Sequence, residues 1–297
     1  MFSDLVAAQK KLQARKLRRV SLNNAGKPPF KSQQRVDPTE ARISEIKEWK
    51  LAIHTLRKRF QFNGKKVIQF DRCDQSMKGE FTEERVLSLA KKAYEEGNVD
   101  FEVVPARCVL LVIDMQDEFI KPGWTPYWVP EATRQVPRIK RLIQHCRKKR
   151  IPVIFTVFSR THDYLDRPTT GASMPNRYSD LKIDQSSFFV KGQIWHELTP
   201  SVEDIVIHKP SYGAFYDTPL ETILKNMGKD TVIIAGTLTN YCCGMTARQA
   251  YERSFKVVLG SDVTSTDDPD MQEPEIKVLR KGFAKILTSD KIIELLR

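Results

Sequence analysis

The sequence lacks long hydrophobic runs, paired cysteine motifs and a secretory signal. Its longest apolar runs, such as residues 109–113 and 232–235, are far shorter than the roughly 20 residues that a membrane span needs. The five cysteines are odd in number and form no Cys-x-x-Cys pair, which argues against a disulfide framework or a zinc site. The first residues have no continuous apolar core. We therefore expect a cytoplasmic protein with reduced thiols, with a mitochondrial presequence as the alternative.

Positive charge is concentrated at the N-terminal end. Residues 1–66 contain 17 Lys and Arg against 5 Asp and Glu, whereas residues 67–297 contain 32 of each. Residues 67–297 therefore have no excess of positive charge that would indicate nucleic-acid binding. We predict that the protein requires no nucleic-acid or membrane partner. The basic arm could still contact acidic lipid or RNA.

The pattern of predicted elements changes near residue 105. Residues 1–36 are interpreted as a basic, flexible arm and residues 37–104 as a mainly helical extension, in which a helix capped by Thr82 runs to Glu96. Beyond them, apolar runs alternate with amphipathic helices, which is typical of a parallel sheet covered on both sides. We predict that residues 105–297 form an α/β domain, a three-layer α-β-α structure with a six-stranded parallel sheet.

The predicted elements of this domain show where function is to be sought. The strands are 109–115, 153–158, 205–208, 232–236, 256–259 and 284–287, and the helices are 131–149, 218–227, 240–253, 273–282 and 290–296. Ligands of such sheets bind beyond the carboxyl ends of the strands. The residues that follow each strand are therefore the candidates for chemistry.

Two strand ends carry charged groups. Asp114 follows five apolar residues, which places a carboxylate suited to proton transfer at the mouth of the sheet. The alternative is that Asp114 only caps the next turn. Lys209 follows the third strand and is held by Pro210, so it is a positioned cation; a solvated surface lysine is the alternative.

A third strand end delivers a thiol. Cys242 lies where the fourth strand turns into a helix, and the free N–H groups of a helix start favour a thiolate and can bind an oxyanion. Because successive helical residues point about 100° apart, only one of Cys242 and Cys243 can face a pocket. The alternative is that both cysteines fill the core.

The segments VIDMQDEF, KPSYGAF and GTLTNYCCGMTAR resemble the isochorismatase-like cysteine hydrolase superfamily. This superfamily includes nicotinamidases, N-carbamoylsarcosine amidases, ureidoacrylate amidohydrolases and isochorismatases. The resemblance covers residues 105–297 and implies the isochorismatase-like hydrolase fold. It also implies that Asp114, Lys209 and Cys242 are the catalytic residues, with Cys242 rather than Cys243 as the nucleophile.

The resemblance further implies how the reaction is supported. A cis peptide is expected between Thr237 and Leu238, and the backbone N–H groups of Leu238 and Cys242 are expected to form an oxyanion hole. The implied enzyme cleaves the C–N bond of a small amide or ureido-type substrate through a Cys thioester and releases ammonia. Alternatives are an isochorismatase-type vinyl-ether hydrolase and a catalytically idle oligomeric binding protein. Family members are commonly dimers or larger, so a homo-oligomer is expected.

The sequence departs from the nicotinamidase pattern in its metal motif. Nicotinamidases carry Asp-x-His after the second strand, whereas Phe158 and Arg160 occupy those places here. We therefore expect no metal and no cofactor; the alternative is that the nearby His162 and Asp163 act as ligands.

The remaining candidates concern substrate binding. The loop at residues 159–187 is expected to cover the pocket, and a cation there could pair with a substrate carboxylate. The basic candidates are Arg160, His162, Arg167 and Arg177, and the aromatic candidates for the walls are Phe119, Trp124 and Tyr127. Surface charge and core packing are the respective alternatives.

Overall fold

The computed structural model of the chain describes residues 81–169, 181, 184 and 186–297. These residues belong to one compact unit, Met77–Arg297. The predicted basic arm and most of the predicted extension lie outside the described residues, as does Arg177.

Six parallel strands form one sheet within the described residues. They are β1 (Cys108–Ile113), β2 (Val153–Phe158), β3 (Ile205–Lys209), β4 (Thr231–Thr237), β5 (Lys256–Ser265) and β6 (Lys285–Leu287). Their order across the sheet is β3-β2-β1-β4-β5-β6, and every pairing is parallel. The predicted α/β class with a six-stranded parallel sheet is confirmed.

Helices cover the sheet. They are α1 (Glu83–Glu96), α2 (Asp117–Ile120), α3 (Pro130–Lys148), α4 (Leu220–Asn226), α5 (Gly244–Glu252), α6 (Pro269–Gly282) and α7 (Ser289–Leu295). Short 3₁₀ turns occur at Pro105–Arg107, His162–Tyr164 and His196–Leu198, and a π-helical turn, Thr239–Cys243, precedes α5. Along the described segments, every helix is too short or too polar to cross a bilayer.

The buried side chains of β1 show how the three layers form. Successive side chains of a strand point to opposite faces, and all six residues of β1 are buried. Leu110 belongs to one hydrophobic cluster, with Ile139 of α3, and Leu111 belongs to the other, with Ala247 of α5. Apolar layers therefore cover both faces of the sheet, which is why its strands appear as continuous hydrophobic runs.

Most element boundaries differ from the prediction by one or two residues, and those of β5 and α6 differ by more. Strand β5 continues to Ser265 instead of ending at residue 259, because its pairing with β4 shifts register and resumes at Thr264, opposite Gly236. Helix α6 begins at Pro269 instead of residue 273, because the Asp268 side chain accepts a hydrogen bond from the Asp270 N–H. Proline suits this first helical position, where its missing N–H costs no hydrogen bond.

Candidate active site

The parallel sheet brings Asp114, Lys209 and Cys242 together at the carboxyl ends of its strands. Asp114 follows the last residue of β1, Lys209 is the last residue of β3, and Cys242 lies five residues beyond Thr237, the last residue of β4. All three side chains are fully buried, with 0% exposure. Lys209 Nζ lies 2.7 Å from Asp114 Oδ2. Residues far apart in the chain thus form one compact polar cluster inside an apolar core.

Asp114 is fixed by its backbone and by its neighbour on β2. Its φ of 50° lies in the left-handed region, which Asp tolerates better than bulky residues. Thr156 Oγ1 donates a hydrogen bond of 2.7 Å to Asp114 Oδ1, while the other carboxylate oxygen faces Lys209. The two oxygens therefore have different partners and a fixed orientation.

Lys209 is held by several acceptors. Its Nζ donates to the carbonyl oxygens of Ser211 (2.8 Å) and Tyr212 (2.9 Å), in addition to its ion pair with Asp114. Burial by itself lowers the pKa of Lys209, but the charge of Asp114, the Cys242 sulfur and the hydrogen bonds to both raise it by more. The net pKa lies above its ordinary value, so this buried lysine stays a cation.

The Cys242 thiol is protonated at rest. Burial raises its pKa to about 12; the positive charge of Lys209 opposes this rise, and the charge of Asp114 adds to it. The Leu238 N–H at this helix start favours the thiolate, as we predicted, but its effect on the pKa is smaller than that of burial. Cys242 lies in a π-helical turn and is itself fully buried, so loss of solvation outweighs the favourable charges. A base is needed before this sulfur can act as a nucleophile.

The two adjacent cysteines differ in their partners. Asp114, Lys209 and the Leu238 N–H all lie close enough to the Cys242 sulfur to shift the pKa of its thiol. Cys243 feels the charges of the same two residues, but burial dominates and raises its pKa well above the ordinary value. Its backbone N–H donates to the Leu238 carbonyl oxygen at 3.0 Å. Cys242 is therefore the cysteine whose sulfur joins the polar cluster.

The segment before Cys242 has the geometry that the resemblance implied. The peptide bond between Thr237 and Leu238 is cis. The Leu238 N–H lies near enough to the Cys242 sulfur to lower the pKa of its thiol slightly. One of the two expected oxyanion donors therefore lies beside the sulfur, and the role of the pair as an oxyanion hole stays a prediction.

The aromatic candidates divide between core and surface. Phe119 and Tyr127 are almost fully buried in a hydrophobic cluster, and their ring centroids lie 5.3 and 5.1 Å from that of Phe189. The packing alternative therefore describes these two residues. Trp124 is 41% exposed and packs edge-on against Phe188 at a centroid distance of 5.9 Å.

The basic candidates occupy three different environments. His162 is exposed, and its Nδ1 lies 2.9 Å from Asp166 Oδ2. Arg160 is about one-third exposed and lies 3.9 Å from Asp163 Oδ1. Arg167 is buried and lines a cavity beside the end of β3. Of these three, Arg167 is the one that the structure brings next to the polar cluster.

Some residues of the site were not singled out from the sequence. Thr156, which orients Asp114, is paired in register with Ile113, the residue before Asp114. A single hydroxyl in the apolar strand VIFTVF was the signal that could have identified it. Phe158, the last residue of β2, places its ring centroid 5.2 Å from Lys209 Nζ. It covers the ammonium group.

Metal binding was tested on the donor groups that are present. In the described part of the chain, no three His, Cys, Asp or Glu side chains are grouped so that they could hold a metal ion. Phe158 and Arg160, which occupy the places of nicotinamidase ligands, are engaged with Lys209 and with Asp163.

Comparison with known proteins assigns the chain to a family. The profile of the Isochorismatase domain matches residues 108–291. The chain belongs to the isochorismatase-like hydrolases. This hydrolase is 30% identical over 187 residues to Nicotinamidase 3 of Arabidopsis thaliana, an alignment that covers 62% of the chain and 85% of the relative. It is 27% identical over 180 residues to the ureidoacrylate amidohydrolase RutB of Methylobacterium radiotolerans, covering 56% of the chain and 70% of the relative.

A solved structure supports the same assignment. The crystal structure of a cysteine hydrolase from Pseudomonas syringae pv. phaseolicola superposes with a TM-score of 0.58 at 26% identity. The match covers 68% of this isochorismatase-like hydrolase and 97% of the other chain. The predicted family, in its amidase branch, is confirmed.

Proposed function

We propose that this hydrolase cleaves the C–N bond of a small amide or ureido-type substrate through a thioester on Cys242 and releases ammonia. The observation that carries the proposal is that a carboxylate, an ammonium and a thiol share one buried cluster, with Lys209 Nζ 2.7 Å from Asp114 Oδ2 and both side chains close enough to Cys242 to shift the pKa of its thiol. The relatives named nicotinamidase and ureidoacrylate amidohydrolase support an amide substrate.

Asp114 acts first as a general base. Because the pKa of Cys242 is about 12, the thiol must lose its proton as it attacks, and the Asp114 carboxylate is the acceptor within hydrogen-bonding reach. Lys209 stabilises the negative charge during this transfer. The sulfur attacks the amide carbon, and the backbone N–H groups of Leu238 and Cys242 stabilise the resulting oxyanion.

Asp114 then acts as a general acid. It passes the proton to the leaving nitrogen, the C–N bond breaks, and ammonia leaves a thioester on Cys242. In the second half, Asp114 takes a proton from water, and the hydroxide attacks the thioester carbon. The C–S bond breaks, the sulfur regains the proton from Asp114, and a carboxylic acid is released. The net reaction consumes one amide and one water.

Vinyl-ether hydrolysis is the second candidate. The matching family carries the name of isochorismatase. The resemblance implies that some isochorismatases, which cleave a vinyl ether without covalent catalysis, lack the cysteine. In this chain the cysteine is present beside both charged groups, which favours a covalent route through the sulfur. Amide hydrolysis is therefore the primary proposal.

The test is ammonia release from a panel of primary amides and carbamoyl compounds, with isochorismate included. We expect Cys242→Ala to lower turnover by about 10,000-fold, because removal of a nucleophile leaves only binding and oxyanion stabilisation. The matched control is Cys243→Ala, which removes the adjacent buried thiol and should retain turnover. Equal activity of wild type and Cys242→Ala on isochorismate, without ammonia, would establish the ether reaction. No turnover of any panel member would favour the idle binding protein.

A further inference from the structure

A single buried hydroxyl joins the segments that carry Lys209 and Cys242. It belongs to Thr246, on the first turn of α5, which is fully buried. Its Oγ1 donates a 2.6 Å hydrogen bond to the Cys242 carbonyl oxygen and accepts a 3.0 Å hydrogen bond from the Ala214 N–H. Ala214 lies 32 residues before Thr246 in the chain. The hydroxyl therefore connects the loop after β3 to the turn after β4.

The two hydrogen bonds of Thr246 differ in kind. A helical threonine often donates to the carbonyl oxygen four residues earlier, and Cys242 stands at that spacing. The hydrogen bond from Ala214 is not of this local kind, because it comes from a different part of the chain. Buried backbone groups need a hydrogen-bond partner, and the Thr246 hydroxyl serves one N–H and one carbonyl oxygen at once.

The loop that Thr246 contacts is the loop that holds the Lys209 ammonium. Lys209 Nζ donates to the carbonyl oxygens of Ser211 and Tyr212, at 2.8 and 2.9 Å. Ala214 follows Tyr212 by two residues, so its hydrogen bond to Thr246 limits where these two carbonyl oxygens can lie. The position of Lys209 Nζ therefore depends in part on α5.

Helix α5 contacts the same loop at a second point. The Phe215 N–H donates a 3.2 Å hydrogen bond to Gln249 Oε1. A Cβ at Gly213 would lie 2.1 Å from this oxygen, so the backbone of the loop packs directly against Gln249. Thr246 and Gln249 are three residues apart and thus lie on the same face of the helix. This face supports the loop, and Thr246 is the residue of the pair that is also hydrogen-bonded to Cys242.

We propose that Thr246 is a positioning residue of the catalytic cluster, whose hydroxyl holds the Lys209 ammonium at a fixed distance from the Cys242 sulfur. This inference rests on the proposed amidase function, in which Lys209 stabilises negative charge on the sulfur. The interaction of two charges depends on the distance between them, and a small misplacement of catalytic groups can cost about 100-fold in rate. Loss of the Thr246 hydroxyl should therefore slow the chemical step more than it weakens substrate binding.

The experiment compares Thr246→Val, which replaces the hydroxyl by a methyl group, with Thr246→Ser, which keeps the hydroxyl. The substrate is the panel amide that the wild type hydrolyses fastest. We expect Thr246→Val to lower kcat at least about 10-fold while KM stays within about 3-fold, and Thr246→Ser to keep kcat within about 3-fold. The matched control is Thr231→Val. Thr231 is equally buried, but it begins β4, at the opposite end of the strand from the site, and donates to Asp230 Oδ1.

Alkylation of Cys242 by iodoacetamide, in a Cys243→Ala background, separates positioning from a general loosening of the fold. Below the pKa of the thiol, the rate follows the fraction of thiolate. Lys209 lowers the pKa of Cys242, so a displaced ammonium should slow alkylation of Thr246→Val. At about pH 8 we expect a loss of at least about 3-fold, which corresponds to about half a pKa unit, and Thr246→Ser should restore the rate. If Thr246 only supported the fold, the loosened variant would expose the buried sulfur and alkylation would be faster.

The outcomes separate this inference from the proposed function. Unchanged kcat in Thr246→Val, alkylation no slower than in the parent, or no rescue by serine overturns the inference and leaves the amidase function standing. Alkylation needs no substrate, so slower alkylation that serine restores supports the positioning role even if no amide is hydrolysed. Circular dichroism confirms that each variant is folded. If Thr246→Val is not, Thr246→Ala decides the outcome in the same assays, because it leaves space for a water molecule beside the two backbone groups.

Discussion

At the scale of single residues, the site combines an ion pair with a neutral thiol. Lys209 remains charged although it is fully buried, because Asp114 lies 2.7 Å away. Cys242 remains protonated although Lys209 is its neighbour, because burial and the charge of Asp114 outweigh the cation. In the proposed mechanism, the nucleophile is consequently generated only when Asp114 takes the proton of Cys242.

This balance of charges predicts opposite effects of two substitutions on the Cys242 thiol. Asp114→Asn removes a charge that raises the pKa of Cys242, so its pKa should fall below about 12 and more thiolate should be present at a given pH. Lys209→Met removes the charge that lowers the pKa, so less thiolate should be present. We expect both variants to lose turnover, because each lacks one member of the cluster.

The measurement is the rate at which iodoacetamide alkylates Cys242 as a function of pH, followed by peptide mapping in a Cys243→Ala background. The rate should rise at lower pH in Asp114→Asn and at higher pH in Lys209→Met than in the parent. Identical pH profiles in the three proteins would show that the two charges do not control the thiol.

At the scale of elements, the end of β4 positions Cys242, the proposed nucleophile. Gly236 has a φ of 124°, and a Cβ at this position would collide with the carbonyl oxygen of Ile113 on β1. Only glycine allows this close approach of the two strands. The turn that follows carries Leu238 and Cys242 to the cluster, so the approach of β4 to β1 helps to set the position of the sulfur.

We therefore expect Gly236→Ala to reduce both stability and turnover. The free energy of unfolding should fall by about 1–3 kcal/mol, because the backbone must shift and adopt a strained conformation. Gly282→Ala is the matched control, since a Cβ there meets no atom within 4 Å and φ is not positive. Denaturant unfolding and ammonia release measure the two effects. Equal stability of the two variants would contradict the close-packing argument.

The sequence was most informative where an apolar run ends in a polar group. Asp114 and Lys209 each follow such a run, so parallel-sheet topology alone placed them at one edge. The end of β5 was missed because Gly260, Ser261 and Asp262 interrupt the apolar pattern, and only pairing with β4 shows that the strand resumes. Local pattern cannot indicate pairing with a distant strand.

The sequence also did not reveal how completely each candidate side chain is buried. The thiolate expected for Cys242 followed from its place before a helix, but its pKa depends on how completely distant segments cover it. Likewise, Arg160 and Arg167 are equivalent cations in the sequence of the loop. They differ because Arg167 contacts the ends of two strands. Its Nε donates a hydrogen bond to the Pro210 carbonyl oxygen, next to the end of β3, and its guanidinium lies over the ring of Phe158 at the end of β2. Neither contact is visible in the spacing of residues.

At the scale of the whole molecule, stability resides in the layers on both faces of the sheet. Leu111 is fully buried in the centre of β1, whereas Leu87 of α1 is 62% exposed. The same substitution to alanine should therefore have very different effects. We expect Leu111→Ala to lower the free energy of unfolding by about 2–5 kcal/mol through lost burial and a cavity, and Leu87→Ala to change it by no more than about 0.5 kcal/mol.

Denaturant unfolding followed by circular dichroism measures both variants. If Leu87→Ala lowered the free energy of unfolding as much as Leu111→Ala, another surface would have to cover α1. The homo-oligomer expected from the family resemblance stays a prediction.

Each member of the proposed catalytic cluster is held by a different strand. Asp114 extends from β1, its partner Thr156 lies on β2, Lys209 ends β3, and the turn with Cys242 leaves β4. Any partial unfolding that separates two of these four residues should therefore abolish activity. The activity of a sample should therefore measure the fraction of molecules in which the central sheet is intact.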